Sequence, residues 1–336
     1  MVSHSRNSVL DGLRGLSAIL VLSFHYLKRY ESLYEHDFTY YRIFDFGFLG
    51  AHLFFAISGY VIFWSFEDGR SGASFLKRRF IRLVPTYWLA VLITYTAVNI
   101  CGLKEFQTSL LEATSNLLLL VDFAGIPYVD DVYWTLAVEV FFYLAMALVV
   151  ATRQLHNIEK WLLIWVLAGA FLTADTSPVR IPDWVSTVFV FRYAEFFAVG
   201  ICFRQIVTGR SSALTQALLA SCCVAILAAY PSEIVPIICT LLLILYLTVS
   251  GRLPFLGWKP FAYLGSISYC LYLTHQNIGF IIINKLYAIG SPGILNITIA
   301  TVSAVLVASC MTQACEKPIR RFLLKKQSRT SQAANH

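Results

Sequence analysis

The stretch WTLAVEVFFYLAMALVV, residues 134–150, decides what kind of protein this is. Only Thr135, Glu139 and Tyr143 carry polar atoms beyond the indole of Trp134, and the apolar residues run round the whole helical circumference. A helix that is apolar on every side belongs in the core of a large protein or in a membrane. Seventeen residues rising 1.5 Å each reach about 26 Å, close to the thickness of a hydrocarbon core. Working outward, nine further runs of this kind recur: Leu10–Leu27, Phe46–Phe66, Leu83–Ile100, Trp161–Ala174, Trp184–Phe203, Ala213–Tyr230, Ile234–Val249, Phe261–Ile283 and Ile294–Cys315. Of 336 residues, 58% are hydrophobic and 13% charged, against roughly a quarter charged in a soluble domain. A soluble chain of this length needs more polar surface. The expected fold is therefore all-α, a polytopic membrane protein of about ten transmembrane helices. Residues 1–324 are expected to form one membrane domain with no soluble domain appended, and 325–336 a polar, disordered tail.

The net charge of +7 could suggest a nucleic-acid partner, but the basic residues sit in short loops between apolar runs. That is how orientation in a bilayer is encoded. With the N-terminus in the cytoplasm, 18 of the 26 Lys and Arg residues fall inside, 6 outside, and Arg14 and Arg192 within spans. Leu110–Val121 is apolar but short. Counting it as a full span would turn every later loop over and put the basic tail outside, so a partial or interfacial helix is expected there, with both termini cytoplasmic. Leu10–Leu27 is interrupted by Asp11 and Arg14 and followed by Lys28-Arg29-Tyr30 rather than a small-residue cleavage site. It reads as a retained first helix. The eight cysteines lie in or beside apolar runs without a C-x-x-C pair, which fits small buried hydrophobes and gives no metal site.

Ionisable residues inside spans are costly and mark function by default. They are Arg14 and His25 in the first span, His52 in the second, Glu139 in the fourth, Arg192 and Glu195 in the sixth, and His275 in the ninth. Arg14 and His25, eleven residues apart, fall within about 20° of one helix face and roughly 16 Å apart along the axis. That approximates the reach of a pantetheine arm: an arginine holds phosphate at the mouth while a histidine meets a thioester further in. Arg14 could instead snorkel to headgroups, with His25 a satisfied interior group. Glu139 and Tyr143 share a face, Thr135 lies one turn earlier, and by topology Glu139 sits at a depth comparable to His25. A carboxylate that orients an imidazole suits general-base catalysis, although a Glu–His or Glu–Arg pair can also simply join helices. The segment Phe75–Pro85, read as a cytoplasmic loop, carries Lys77, Arg78, Arg79 and Arg82. Such a cluster can bind the phosphates of a nucleotide-bearing donor or serve topology alone. His275 could line an acceptor path or bond a neighbouring helix. Arg192 and Glu195, three apart, are expected to pair with each other.

These residues also carry a family likeness. Asp11-Gly-Leu-Arg-Gly-Leu-Ser-Ala with His25 eleven after Arg14, Leu53-Phe-Phe-Ala-Ile-Ser-Gly-Tyr60, and Phe75 to Trp88 with its Arg-Arg-x-x-Arg and Pro-x-Tyr-Trp resemble three motifs of the acyltransferase 3 family. Trp134-Thr-Leu-x-x-Glu139-x-x-x-Tyr143 and Ile267-Ser-Tyr-x-Leu-Tyr-Leu-x-His275 resemble two more. The likeness implies an integral-membrane O-acyltransferase of a bacterial inner membrane, moving an acyl group, acetyl foremost, from cytoplasmic acyl-CoA to a hydroxyl of a lipid-linked or cell-surface glycan. It implies His25 as the catalytic histidine, Glu139 as an active-site acid, and Arg14, Arg78, Arg79 and Arg82 as the acyl-CoA site. Trp134, Tyr143, His275 and His52 would line the active site or acceptor path. Acyl-CoA enters as substrate, with no bound cofactor, and the other partners are the glycan or glycolipid and membrane lipids, with no nucleic acid. Members commonly carry Asp or Glu just before Leu-Phe-Phe, where this chain has His52, and that departure implies an acceptor choice different from theirs if the carboxylate helps bind the acceptor. The rival expectation is a secondary transporter, which also places His, Arg and Glu at midplane. Repeated halves and paired broken helices, which transporters often show, are not evident in the sequence.

Overall fold

The structure, a computed structural model, describes residues 8–34, 39–66, 71–119, 121–174, 176–319 and 321–323. The polar tail expected over 325–336 and the basic residues Arg6 and Arg70 lie outside them. Among the described residues the chain is all-helical, without strands. The helices are α1 (Ser8–Phe24), α2 (Leu49–Phe66), α3 (Gly72–Cys101), α4 (Leu110–Asn116), α5 (Trp134–Ala151), α6 (Ile158–Thr173), α7 (Asp183–Val188), α8 (Ala194–Val207), α9 (Ala213–Ala229), α10 (Val235–Val249), α11 (Lys259–Ala288) and α12 (Gly293–Met311).

Among the described residues, six helices are long and apolar enough to cross a membrane: Ser8–Arg29, Leu49–Phe66, Gly72–Cys101, Asp131–Ala151, Leu155–Thr173 and Gly293–Leu323. The chain is a multi-pass membrane protein. The other four expected spans depart from that standard for separate reasons. α9 and α10 are apolar but only 17 and 15 residues long. α11 has length to spare at 30 residues, yet its middle carries Thr274, His275, Gln276 and Asn277, all at most 1% exposed, which lower its hydropathy while the fold buries them. The span expected over Trp184–Phe203 is broken. α7 ends at Val188, Val190 takes a left-handed φ of 55°, and a 3-10 turn Phe191–Tyr193 leads into α8. A β-branched residue rarely adopts that conformation. Trp165 steadies the break by donating its indole N–H to the Phe189 carbonyl at 2.5 Å.

Two further expectations meet the structure differently. The basic segment 75–85 is not a loop but the opening of α3. At 30 residues α3 is about 45 Å long, well beyond a hydrocarbon core, so a helix can hold its cationic end clear of the apolar layer. α4 is short, as expected, and begins with a capping box in which Ser109 and Glu112 satisfy each other's backbone N–H groups.

The chain divides into two compact units. The first comprises residues 1–21, 42–75 and 135–265. At its centre α2 and α8 lie back to back on glycine: a Cβ on Gly59 would sit 2.1 Å from the Phe197 carbonyl oxygen, and one on Gly200 2.0 Å from that of Ala56. Only a residue without a Cβ allows this approach. The contacts His52–Phe196, Ala56–Gly200 and Tyr60–Arg204 advance together, so the two helices run parallel. Phe55, Phe142, Phe197 and Trp165 stack beside them. Gly12 and Gly15 serve a similar end: added Cβ atoms there would lie 1.9 Å from the Leu256 carbonyl oxygen and 2.7 Å from the Gly265 nitrogen.

The second unit comprises residues 22–41, 76–134 and 266–336. Tyrosine and tryptophan donors tie its helices at their backbones. Tyr87 donates to the Asn116 carbonyl at 2.7 Å, Trp88 to that of Leu117 at 2.9 Å, and Tyr269 to that of Leu83 at 2.9 Å. The end of the first helix lies along α11, with Tyr26 donating to the His275 carbonyl and Tyr30 to Asn284 Oδ1. These pairs also advance together, so the two helices run parallel.

Candidate functional site

His25 stands where α1 gives way to a π-turn, His25–Arg29, before the helix resumes. Such turns are rare and recur at functional sites. In the second unit the half-buried His25 faces His275, which is 1% exposed. His25 Nδ1 and His275 Nε2 are 3.1 Å apart, and the rings meet edge to face with centroids 4.9 Å apart. On its far side, His275 Nδ1 lies 2.9 Å from the Tyr272 carbonyl oxygen and 3.1 Å from that of Leu271. A chain of polar contacts thus runs from the α11 backbone through one imidazole to the other.

The segment preceding α5 is clamped beside this pair. Asn277, two residues after His275, donates its side-chain amide to the Val129 carbonyl at 2.9 Å, and its backbone N–H reaches Asp130 Oδ2 at 3.3 Å. Asn116 holds the other side, donating to the Pro127 carbonyl and accepting from Val129 N–H. Arg29, four residues after His25, pairs with Asp131 at 3.4 Å. Asp130 is wholly buried, and burial pushes its carboxyl well above the usual carboxylate range, with the neighbouring Asp131 adding to the effect. Arg78, Arg79 and Arg82 lie half-buried on the opening turns of α3 and Lys77 is exposed there, so Arg78 and Arg82 share a face. Trp134 closes this unit, half-buried at the first position of α5.

In the first unit Glu139 and Tyr143 share a face as their spacing requires. Glu139 Oε1 accepts from the Ser58 hydroxyl at 2.7 Å and from the Tyr143 hydroxyl. Tyr143 in turn packs edge-on to Phe75. Arg14 lies one turn from Asp11, at 3.5 Å, with both side chains mostly covered. His52, 7% exposed, is ringed by Phe48, Phe55, Tyr193, Phe196 and Tyr230 at centroid distances of 4.8 to 6.4 Å. It borders a small apolar pocket lined by Leu49, Leu53, Phe196, Ile238, Leu241 and Leu242. The expected Arg192–Glu195 pair does not form. Arg192 turns outward from the helix break to meet Asp183 at 2.6 Å, while Glu195, 5% exposed, opens α8 in the core. Tyr193, which lies between the two, takes φ −135° and ψ 7° where the 3-10 turn gives way to α8, so no continuous helical turn joins them for i, i+3 pairing.

Arg14, His25, Arg78, Arg79, Arg82, Glu139 and His275, which lie in the sequence motifs, are all carried on helices. A family model described as an acyltransferase domain, Acyl_transf_3, matches residues 7–313. The chain belongs to the acyltransferase 3 family. No curated protein and no solved structure matches it. Membership makes it a membrane acyltransferase and gives two of the motifs a structural reading. In Asp11-Gly-Leu-Arg-Gly, the glycines of this acyltransferase admit the backbone at Leu256 and Gly265. In Leu53-Phe-Phe-Ala-Ile-Ser-Gly, Gly59 admits α8 and Ser58 serves Glu139.

Sequence reasoning missed Asp130, Asn277 and Ser58. The buried polar run Thr274–Asn277 was a usable signal for the second, since three polar neighbours of a span histidine cannot all be lipid-facing. Asp130 carried none, because a loop carboxylate reads as solvent-exposed.

Proposed function

We propose that this acyltransferase moves an acyl group, acetyl foremost, from cytoplasmic acyl-CoA to a hydroxyl of a lipid-linked or cell-surface glycan, with His25 as general base. One observation carries the reading: in a chain of this family, a half-buried helix histidine at a π-turn is held at Nδ1 by a second, buried histidine. In the proposed reaction the acceptor oxygen attacks the thioester carbonyl carbon while His25 takes the hydroxyl proton. The tetrahedral adduct then expels the sulfur and His25 returns the proton to it, leaving an ester and free CoA thiol. The phosphates of CoA are assigned to Arg78, Arg79 and Arg82, and to Arg14, because guanidinium groups match phosphate geometry. Glu139 is assigned as an active-site acid, with Trp134, Tyr143 and His52 toward the acceptor.

The proposed topology keeps ten spans with both termini in the cytoplasm of a bacterial inner membrane. The parallel pairs support it. With α4 not crossing, the helix containing α2 and that containing α8 are both even-numbered spans, and the first helix and α11 both odd. Were α4 to cross, each pair would run antiparallel.

The test is transfer of radiolabelled acetyl from acetyl-CoA to cell-envelope glycan by protein in vesicles. His25→Ala is expected to remove it while acetyl-CoA still raises the melting temperature of the purified variant. Undiminished transfer by a folded His25→Ala overturns the assignment. Proton-coupled flux without acyl-CoA consumption would replace it with transport.

A further inference from the structure

We propose that His275 is a positioning residue that fixes His25 as its Nδ1–H tautomer, so that Nε2 is the atom that takes the acceptor proton. The inference rests on the reading of His25 as base and adds the residue that makes it one. It follows from a count of donors and acceptors. His275 Nδ1 lies 2.9 and 3.1 Å from two backbone carbonyl oxygens, of Tyr272 and Leu271. Carbonyl oxygens only accept, so that nitrogen carries the hydrogen and shares it between them. A neutral imidazole has one N–H, hence His275 Nε2 presents a lone pair. The nitrogen 3.1 Å away, His25 Nδ1, must then donate. That leaves the lone pair of neutral His25 on Nε2.

The α11 backbone therefore decides, through His275, which nitrogen of His25 is basic. Nothing in the relay needs to move during turnover. When Nε2 of His25 gains a proton, the imidazolium keeps its Nδ1–H on His275 Nε2 and loses no partner. The position of His275 is itself fixed from the backbone side, because its own carbonyl accepts from the buried Tyr26 hydroxyl at 2.7 Å. This is the orienting duty that a carboxylate performs in hydrolase triads, done here by a neutral ring without a buried charge.

The test reads the tautomer directly. Full-chain protein labelled with ¹⁵N-histidine is placed in lipid nanodiscs, and the resonances of His25 are assigned by their loss in His25→Gln. The parent is expected to show His25 protonated at Nδ1. His275→Ala is expected to shift His25 toward the Nε2–H form that imidazole prefers in water, and to lower kcat by roughly 10²- to 10⁴-fold, the range for losing general-base catalysis, with KM for acetyl-CoA unchanged. His275→Gln, whose amide oxygen can accept from Nδ1–H, is expected to restore part of both. An Nε2–H signal from His25 in the parent overturns the proposal without any variant, and so does a tautomer that His275→Ala leaves unchanged. If the tautomer shifts as expected while His25→Ala still transfers acetyl at the parent rate, the base assignment falls and the positioning geometry stands.

Discussion

Replacing Gly200 with alanine puts the α2–α8 contact to a quantitative test. The added Cβ would lie 2.0 Å from the Ala56 carbonyl oxygen and 2.8 Å from the Tyr60 nitrogen, both backbone atoms that no rotamer change can move. Ordinary carbon–oxygen contact begins near ~3.3 Å, so the two helices must part by roughly 1.3 Å at this level. Overpacking of this kind costs about 1–3 kcal/mol. The upper end is expected here, because a gap of ~1 Å forfeits up to half of each dispersion well across the interface. Phe197, with ring centroids 4.0 Å from Phe142 and 5.1 Å from Phe55, stands to lose the most. About 3 kcal/mol corresponds to a fall of roughly 6–12 °C in melting temperature for a unit of this size. The assay is thermal unfolding of the detergent-purified protein. Gly209→Ala is the control: its φ of +71° makes alanine strained, but nothing lies within 4 Å of the added carbon, so the cost stays near ~1–2 kcal/mol. Gly59→Ala combined with Gly200→Ala is expected to cost less than the sum, since one separation relieves both clashes. A Gly200→Ala protein that melts within a degree of the parent, or strict additivity of the pair, refutes the reasoning.

Other expectations follow from single contacts. Asp130 has its carboxyl raised above the unfolded value of 3.8 by burial. Its contribution to stability is therefore full below pH 3.8 and declines as pH rises toward the folded value. Asp130→Asn lacks that decline, so its melting temperature should gain on the parent between pH 4 and 7; a difference constant with pH counts against the buried carboxyl. Ser58→Ala and Tyr143→Phe each remove a donor from Glu139 Oε1. Each should cost about 1–3 kcal/mol and slow transfer at saturating acyl-CoA, and rates within twofold of the parent would remove Glu139 from the chemistry. Asp183→Asn breaks an ion pair whose side chains are 59% and 87% exposed. It should leave stability within about 0.5 kcal/mol, and a large loss in thermal unfolding would mean that Arg192 does more than cap the helix break.

Much of this protein was legible because a bilayer simplifies the code. Apolar runs locate helices, and ten expected spans correspond to helical segments, the sixth of them broken. The short α4 was legible from length and charge together. The break at Val190 was not, since Phe-Val-Phe is as apolar as any helix interior and a left-handed φ leaves no mark on hydropathy. Nor was the helical state of residues 75–85, because positive charge in a short connection reads the same whether coiled or helical. The π-turn at His25 also escaped, because its Tyr26–Arg29 segment has the composition of any helix end. At the sites, spacing predicted the Glu139–Tyr143 contact, which is local to one helix. It mispredicted Arg192–Glu195, where the junction at Tyr193 between a 3-10 turn and α8 interrupts the helix.

Composition and periodicity alone determined an all-helical membrane protein, and five ordered motifs determined its family. Both are properties that each helix carries by itself, because a bilayer demands that every span satisfy its own backbone. Which polar groups meet was decided only by tertiary structure. His25 and His275 are 250 positions apart, and their contact depends on the first helix lying along α11, with Tyr26 seated on the His275 carbonyl. Side-chain partners across helices are chosen by packing, and packing is a property of the assembled chain that no single stretch of sequence contains.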